Sequence, residues 1–426
     1  MKAISHVNKL NKVYNFIYKS TYRKRKIYKY TNKYPYKMKE TEFTSKRTGK
    51  LVWESQGAYY RFEPNSLPIT INETPELSAQ AQKTIAALAR LDGLTLKFTK
   101  EEITLFQTPF MIKEAQLSSE IEGTRSTISD VYKEEWIKEL DPEKRLDNEE
   151  IRNYKNALIW AIQNLPEQFS EEYLKSIHKR LLEGVRGTDK EPGIYKQHQN
   201  AIGKRDDTLD TAKFVPSSPQ TTPYLMKNLI DYNNQETLSA LYKIGQIHYQ
   251  FEAIHPFRDG NGRLGRMLIV LQLCKEKILQ HPLLYISEYL TKNRDTYIEL
   301  LYNTSAKGEI EEWLSFFLKA LENQAKNSLE LLKKIDAYKT ELHDKVQIIS
   351  QSPKMHLVVD FLFKQPFFTV NDIKKILETS QPTAWNLTNK LIKAGIVENI
   401  GTEGNTKVYL AKKIILLLEG KNETNS

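Results

Sequence analysis

Residues 255–266 read His-Pro-Phe-Arg-Asp-Gly-Asn-Gly-Arg-Leu-Gly-Arg, a break between two apolar helical stretches. Apolar residues recur at helical spacing over Ala240–Ile254 and again over Gly262–Lys277, so the break must form a tight loop joining two buried helices. A residue before proline is pushed out of the α region, which ends the first helix at His255. Asp259-Gly260-Asn261-Gly262 is a turn whose glycines accept positive φ and let a ligand approach the backbone. The second helix then starts with its free N–H groups and positive dipole end facing the turn, an anion site. Arg263 and Arg266 stand on one helical face just inside that end, and two guanidinium forks there make a phosphate receptor. His255 can take a proton near neutral pH, and Asp259 can hold Mg²⁺ against phosphate oxygens. Taken singly, these residues have plain structural uses: a helix cap, an Asx turn, solvated cations. Five such groups in one short loop point to phosphoryl or nucleotidyl transfer, where catalysis is mostly positioning and charge stabilisation.

The loop resembles the Fic-family motif HxFx(D/E)GNGRxxR, matching at His255, Phe257, Asp259, Gly260, Asn261, Gly262, Arg263 and Arg266. Eight set positions coincide by chance in about one chain in 10⁷ to 10⁸ of this size. Glu191-Pro-Gly-Ile-Tyr195 is similar to a second family segment, with Lys196 where arginine is commoner, and Lys213-Phe-Val-Pro-Ser217 is similar to its flap hairpin. The resemblance implies a protein adenylyltransferase that moves AMP from Mg-ATP onto a Ser, Thr or Tyr hydroxyl of a target protein, and of itself, releasing pyrophosphate. His255 is then the general base and Asp259 the magnesium ligand. Gly260, Asn261 and Gly262 cradle phosphates and ribose, and Arg263 and Arg266, with Leu264 and Gly265 between them, receive the β- and γ-phosphates. Tyr297 is a candidate for the adenine pocket, and the flap at Lys213, Phe214 and Val215 clamps the target by strand addition.

Ser118-Ser-Glu-Ile-Glu122-Gly123 resembles the family's inhibitory motif. Ser118 and Glu122 are i,i+4 neighbours on one face, and Gly123 suits a helix C-cap. The resemblance implies that Glu122 competes with phosphate for Arg266, an autoinhibitory brake. It also admits removal of AMP, or transfer from another nucleotide.

Along the chain the helical period dominates, so the expected fold is mainly α. Residues 51–146 read as an N-terminal helical domain with short strands at its start and the inhibitory helix near Lys100–Glu122. Residues 147–325 read as the Fic bundle with a small β-hairpin between Gly187 and Pro223, and 326–350 as a helical linker. Over 351–415, three short helices precede two strands around Gly401–Gly404, the pattern of a winged helix-turn-helix. Its recognition helix, Gln381–Lys393, offers Asn386, Thr388, Asn389 and Lys390 to a nucleic acid, but carries only two lysines and no arginine. Contact with protein, including a homodimer, suits it better than DNA; a DNA-binding regulator is the non-enzyme alternative.

The formal charge of +10 is misleading. Residues 1–37 hold 11 Lys/Arg and no acid, so the rest of the chain carries about −1. Residues 1–50 read as a basic, disordered leader without the apolar core of a signal peptide. One cysteine, Cys274, within an apolar run, excludes a disulfide framework and fits a reducing, cytoplasmic setting. No apolar stretch approaches the ~18 residues of a membrane span. His178 and His248 lie inside helices without a second ligand at metal spacing, so both read as packed or exposed histidines.

Overall fold

The structure, a computed structural model, describes residues 38–133, 142–203, 207–237 and 239–421. The leader over 1–37 lies outside them. The described residues divide into two compact units, one from 38–131 and the described part of 142–332, the other from 132–133 and 333–421. Among the described residues no helix is long and apolar enough to cross a membrane.

The larger unit opens with a hairpin, β1 (Gly49–Glu54) and β2 (Tyr59–Pro64), paired antiparallel from Gly49–Pro64 to Glu54–Tyr59. Among the described residues ten α-helices follow: α1 (Pro75–Thr95), α2 (Lys100–Ile121), α3 (Ile128–Lys133), α4 (Pro142–Gln163), α5 (Glu171–Leu181), α6 (Thr222–Asn233), α7 (Ala240–Ile254), α8 (Asn261–Lys275), α9 (Ser287–Lys292) and α10 (Arg294–Lys307). The chain then enters α11 (Ile310–Ile349).

Local signals place the helix that leads to the site. Thr99 and Glu102 form a reciprocal capping box at the start of α2. At its other end Glu122 is the cap and Gly123 turns to φ +104°, a left-handed region that glycine enters without strain. Helices α7 and α8 are buried on nearly every side, which marks them as the centre of the bundle. Gly245 makes room there for Leu314 and Phe317 of α11, and Trp313 Nε1 donates to the Gly245 carbonyl at 2.9 Å.

Three expectations change. Residues 38–50 are folded: Met38 and Thr48 are buried, the Thr48 hydroxyl donates to Thr304 O at 2.6 Å, and Arg47 Nη1 donates to Glu311 Oε2 at 2.7 Å. Residues 51–146 and 147–325 share one continuous core, running from Met38 through Leu88 and Tyr154 to Ala325. The hairpin expected between Gly187 and Pro223 shrinks, among the described residues, to a single antiparallel bridge of Ile202 with Phe214.

The smaller unit holds α12 (Pro353–Lys364), β3 (Phe367–Phe368), α13 (Val370–Ile376), α14 (Gln381–Lys393), β4 (Glu398–Glu403), β5 (Thr406–Leu410) and α15 (Lys412–Glu419), with strand order β3-β5-β4. On α14, Asn386 is exposed and Asn389 and Lys390 are half-buried. Thr388, expected among the outward residues, is buried and its hydroxyl is bonded to Ala384 O at 2.9 Å, because it falls on the helix face that carries Ala384 and Leu391.

Candidate functional site

Helix α7 stops at His255, which turns to φ +51°, a conformation uncommon for any residue but glycine and one that clusters at functional sites. Its imidazole Nδ1 is buried without a hydrogen-bond partner. Burial pushes the His255 pKa down to about 3, and the Lys196 ammonium adds to this, while the Glu122 carboxylate and the Glu252 carbonyl oppose it. The ring is therefore neutral at physiological pH, the form that accepts a proton.

The turn after it is closed by its own residues. Phe257 N–H donates to Asn261 Oδ1 at 2.9 Å, and Asn261 Nδ2 donates back to Phe257 O at 2.8 Å. The Asn261 side chain, expected to touch ribose or phosphate, thus closes the loop with one N–H and one lone pair of its amide. Gly260, at φ +73°, is the N-cap of α8. Asp259 Oδ1 accepts from Gly260 N–H at 2.6 Å and keeps 43% of its side-chain surface open. Its backbone carbonyl meets His178 Nε2 at 2.9 Å, and His178 lies stacked on Phe257 with ring centroids 3.7 Å apart. Burial pushes the His178 pKa down to about 4, so this histidine is a neutral packing residue under the loop.

The two arginines differ. Arg266, 1% exposed, donates from Nε to Ser118 Oγ at 2.9 Å, and from Nη2 to Ser118 O at 2.9 Å and Glu122 Oε1 at 2.6 Å. A Cβ on Gly262 would run into that same Glu122 oxygen, so the carboxylate rests on the first turn of α8. Burial pushes the Glu122 pKa up, but Arg266 above all, with Arg263 and His255, outweighs it and holds the carboxyl below its ordinary range. Arg263, 4% exposed, leaves Nε and Nη1 without a hydrogen bond; its nearest carboxylates are Glu150 at 3.5 Å and Asp259 at 3.6 Å. A buried guanidinium with idle donors beside a helix N-terminus is a receptor for an anion.

Leu264 faces the core, fully buried. Gly265 lets the Glu252 carboxylate approach α8: Glu252 Oε1 is buried without a partner, and burial pushes this pKa up to about 7. Tyr297 is 3% exposed; its hydroxyl meets His248 Nε2 at 2.8 Å and lies against the Arg266 guanidinium, and His248 Nδ1 meets Gly265 O at 3.1 Å. Both rings pack with Trp313, so Tyr297, expected in an adenine pocket, is buried here under the second arginine.

The flap residues are also differently employed. Phe214 exchanges both backbone bonds with Ile202, at 2.8 and 3.0 Å, and Val215 O accepts from Phe62 N–H of β2 at 2.8 Å. Val215 N–H points at Met38 Sδ at 3.0 Å, and Lys213 is half-buried with its ammonium over the Tyr302 ring. No backbone donor or acceptor of Phe214 or Val215 is left for an added strand. On the other side of the bridge, Ala201 and Gly203 make no backbone hydrogen bond among the described residues. Asn200 beside them donates to His255 O, so this edge leads to the base. Sequence reasoning missed Asn200, Glu150 and Glu252; only the step Phe251-Glu252-Ala253-Ile254, a charge in an otherwise apolar turn before His255, signalled the last.

Among the described residues no cluster of three His, Cys, Asp or Glu could hold a metal alone. The half-open Asp259 carboxylate beside Arg263 fits a magnesium ion that takes its remaining ligands from phosphate and water.

Residues 168–273 match the Fic/DOC family and residues 78–163 match the Fic/DOC family N-terminal region. A probable protein adenylyltransferase of Aquifex aeolicus is 27% identical over 212 residues, 50% of this chain and 61% of that protein. The protein adenylyltransferase fic-1 of Caenorhabditis elegans is 29% identical over 90 residues, 18% of each chain. The chain thus spans less than two thirds of the length of these relatives. A crystal structure of a Fic family protein from Desulfovibrio desulfuricans superposes with a TM-score of 0.54 at 20% identity, covering 81% of this chain and 98% of that one, which is a likeness of fold.

Proposed function

We propose, for a chain that belongs to the Fic/DOC family, that it transfers AMP from ATP to a protein hydroxyl and is held in check by Glu122. One observation carries the reading: two buried guanidiniums flank one helix N-terminus, Arg263 with idle donors and Arg266 clasped by a carboxylate. A carboxylate so placed stands where a phosphate would sit, since both offer two oxygens to a bidentate fork.

In the reaction, neutral His255 takes the proton of the target hydroxyl as its oxygen bonds to the α-phosphorus. The bond from that phosphorus to its bridging oxygen breaks, and pyrophosphate departs. The α8 amides with Arg263 and Arg266 stabilise the negative charge that gathers on the phosphates. Asp259 would hold magnesium, which neutralises phosphate charge when bound. The edge at Ala201–Gly203 would seat an extended stretch of the target next to His255, in place of the flap residues 213–215. With a triphosphate in place its negative charge raises the His255 pKa toward the useful range.

Incubation with α-labelled ATP tests this. Label should reach protein strongly with Glu122→Gly, weakly with the unaltered chain, and not at all with Glu122→Gly/His255→Ala. Label that survives loss of His255 would refute the assignment of the base.

A further inference from the structure

The carbonyls of Ile254, the last residue of α7, and of the three residues after it all accept from one short segment, residues 196–200, with Ser217 Oγ adding a bond to Ile254 O at 3.0 Å and Asn261 one to Phe257 O. Lys196 Nζ donates to Ile254 O at 2.9 Å, and Lys196 N–H to Pro256 O at 2.8 Å. Asn200 Nδ2 donates to His255 O at 3.0 Å and to Phe257 O at 2.9 Å. Lys196 Nζ also donates to Asn200 Oδ1 at 2.9 Å, joining the two side chains. Carbonyls at a helix C-terminus have no partner within the helix and need donors from elsewhere. Here the donors serve a residue in a strained conformation, His255 at φ +51°.

Lys196 is 2% exposed, an unusual place for an ammonium. Burial pushes its pKa well down, an effect Glu63 opposes. Structural bracing alone would be served by a neutral donor. A cation at this spot also acts on the imidazole next door. The titratable groups facing the His255 ring are Lys196 and Glu122 from α2, while Glu252, one turn earlier on α7, meets it through its backbone carbonyl and turns its carboxylate to Gly265.

We propose that Lys196 and Asn200 are positioning residues for His255: they fix the left-handed turn that aims the imidazole, and Lys196 also keeps the ring free of a proton. This rests on the adenylyl-transfer reading for its kinetic test and on geometry for its spectroscopic one. Asn200 fixes direction only; Lys196 fixes direction and charge. The two substitutions therefore leave different traces.

The kinetic arm uses the Glu122→Gly protein. Lys196→Met and Asn200→Ala should each lower kcat on the order of 10- to 100-fold, the scale of a base displaced by about an ångström. Mg-ATP affinity, by calorimetry, should stay within about twofold, because Arg263, Arg266 and the α8 amides are untouched. The acid limb of the pH–rate profile should move up by about one unit in Lys196→Met and stay in place in Asn200→Ala. Lys196→Arg should restore both rate and profile. The spectroscopic arm follows the His255 imidazole by NMR during a pH titration, with folding confirmed by thermal unfolding. Its midpoint should rise in Lys196→Met, and not in Lys196→Arg or Asn200→Ala, whether or not label is transferred. Should Lys196→Met fail to fold, Lys196→Gln carries the same test. An unchanged midpoint on loss of the charge, or ATP affinity falling in step with kcat, overturns the proposal. A Glu122→Gly protein that transfers no label would instead count against adenylyl transfer.

Discussion

Replacing Glu122 by glutamine separates the charge of the brake from its shape. Glu122 Oε1 meets Arg266 Nη2 at 2.6 Å, whereas Ser118 supplies two further acceptors to the same guanidinium at 2.9 Å. Glutamine keeps an oxygen at the first position and removes only the charge. A hydrogen bond to a charged acceptor contributes about 1.5–3 kcal/mol, and a neutral one about 0.5–1.5 kcal/mol. Glu122 keeps 45% of its side-chain surface in contact with solvent, so the smaller end of that difference applies, about 1 kcal/mol. That corresponds to roughly fivefold tighter Mg-ATP binding in Glu122→Gln.

Glycine at the same position removes the acceptor altogether, at the same smaller end about 1.5–2 kcal/mol, or roughly 10- to 30-fold. Residue 122 caps α2 at φ −84°, ψ −1°, outside the helix interior, so glycine there escapes most of the interior penalty. Calorimetry with Mg-ATP should therefore rank affinity as Glu122, then Gln, then Gly, and initial rates of label transfer should follow. Gln activating as fully as Gly would show that the charge alone competes and the hydrogen-bonded oxygen adds nothing. Gln behaving like Glu, with Gly alone activated, would mean that bulk resting on Gly262 is the obstacle, and that pattern refutes the phosphate-mimic account.

Arg263→Lys should weaken Mg-ATP binding at least about tenfold in the Glu122→Gly protein, since an ammonium cannot form the bidentate contact; Tm should barely move, because the guanidinium makes no short bond in the free protein. Glu114, buried under bonds from Ser287 N–H and Oγ at 3.0 and 2.5 Å, has its pKa pushed up to about 7 by burial. A carboxyl raised in the folded state stabilises fully below its ordinary pKa and loses that stabilisation as pH rises through 7, here on the order of 3 kcal/mol. Denaturant titrations of Glu114→Gln against the unaltered chain should therefore favour the variant by more at pH 8.5 than at pH 5; an equal difference at both pH values would show that Glu114 stays ionised. Gly203→Pro removes one N–H from the Ala201–Gly203 edge while the extended Ile202 before it tolerates proline; labelling of a separate target should fall severalfold with Mg-ATP affinity unchanged, and unimpaired labelling would move docking elsewhere.

Features set by neighbouring residues were legible in the sequence, and features set by distant partners were not. The end of α2 at Ile121 before Gly123, and the whole of α7 from Ala240 to Ile254, follow from apolar spacing, caps and a proline step. The phosphate loop was legible for the same reason: Asp259, Gly260, Arg263 and Arg266 lie within one turn and the helix it begins. Residues 38–50 were grouped with the basic leader because Thr48 and Arg47 find their partners at Thr304 and Glu311, more than 250 positions away. Val215 reads as an exposed flap residue until Phe62 and Met38 take its backbone. Tyr297 reads equally well as pocket or core until His248 claims its hydroxyl. The brake lies between these extremes. Ser118, Glu122 and Gly123 specify a helix end with one polar face, but Arg266 stands 144 residues further on, and nothing local couples the two. What couples them physically is that Glu122 reaches Arg266 at a single helix N-terminus. Under the proposed function a carboxylate carried by the chain and a phosphate carried by a nucleotide would be alternatives there, and regulation would follow from the same geometry that would bind the substrate.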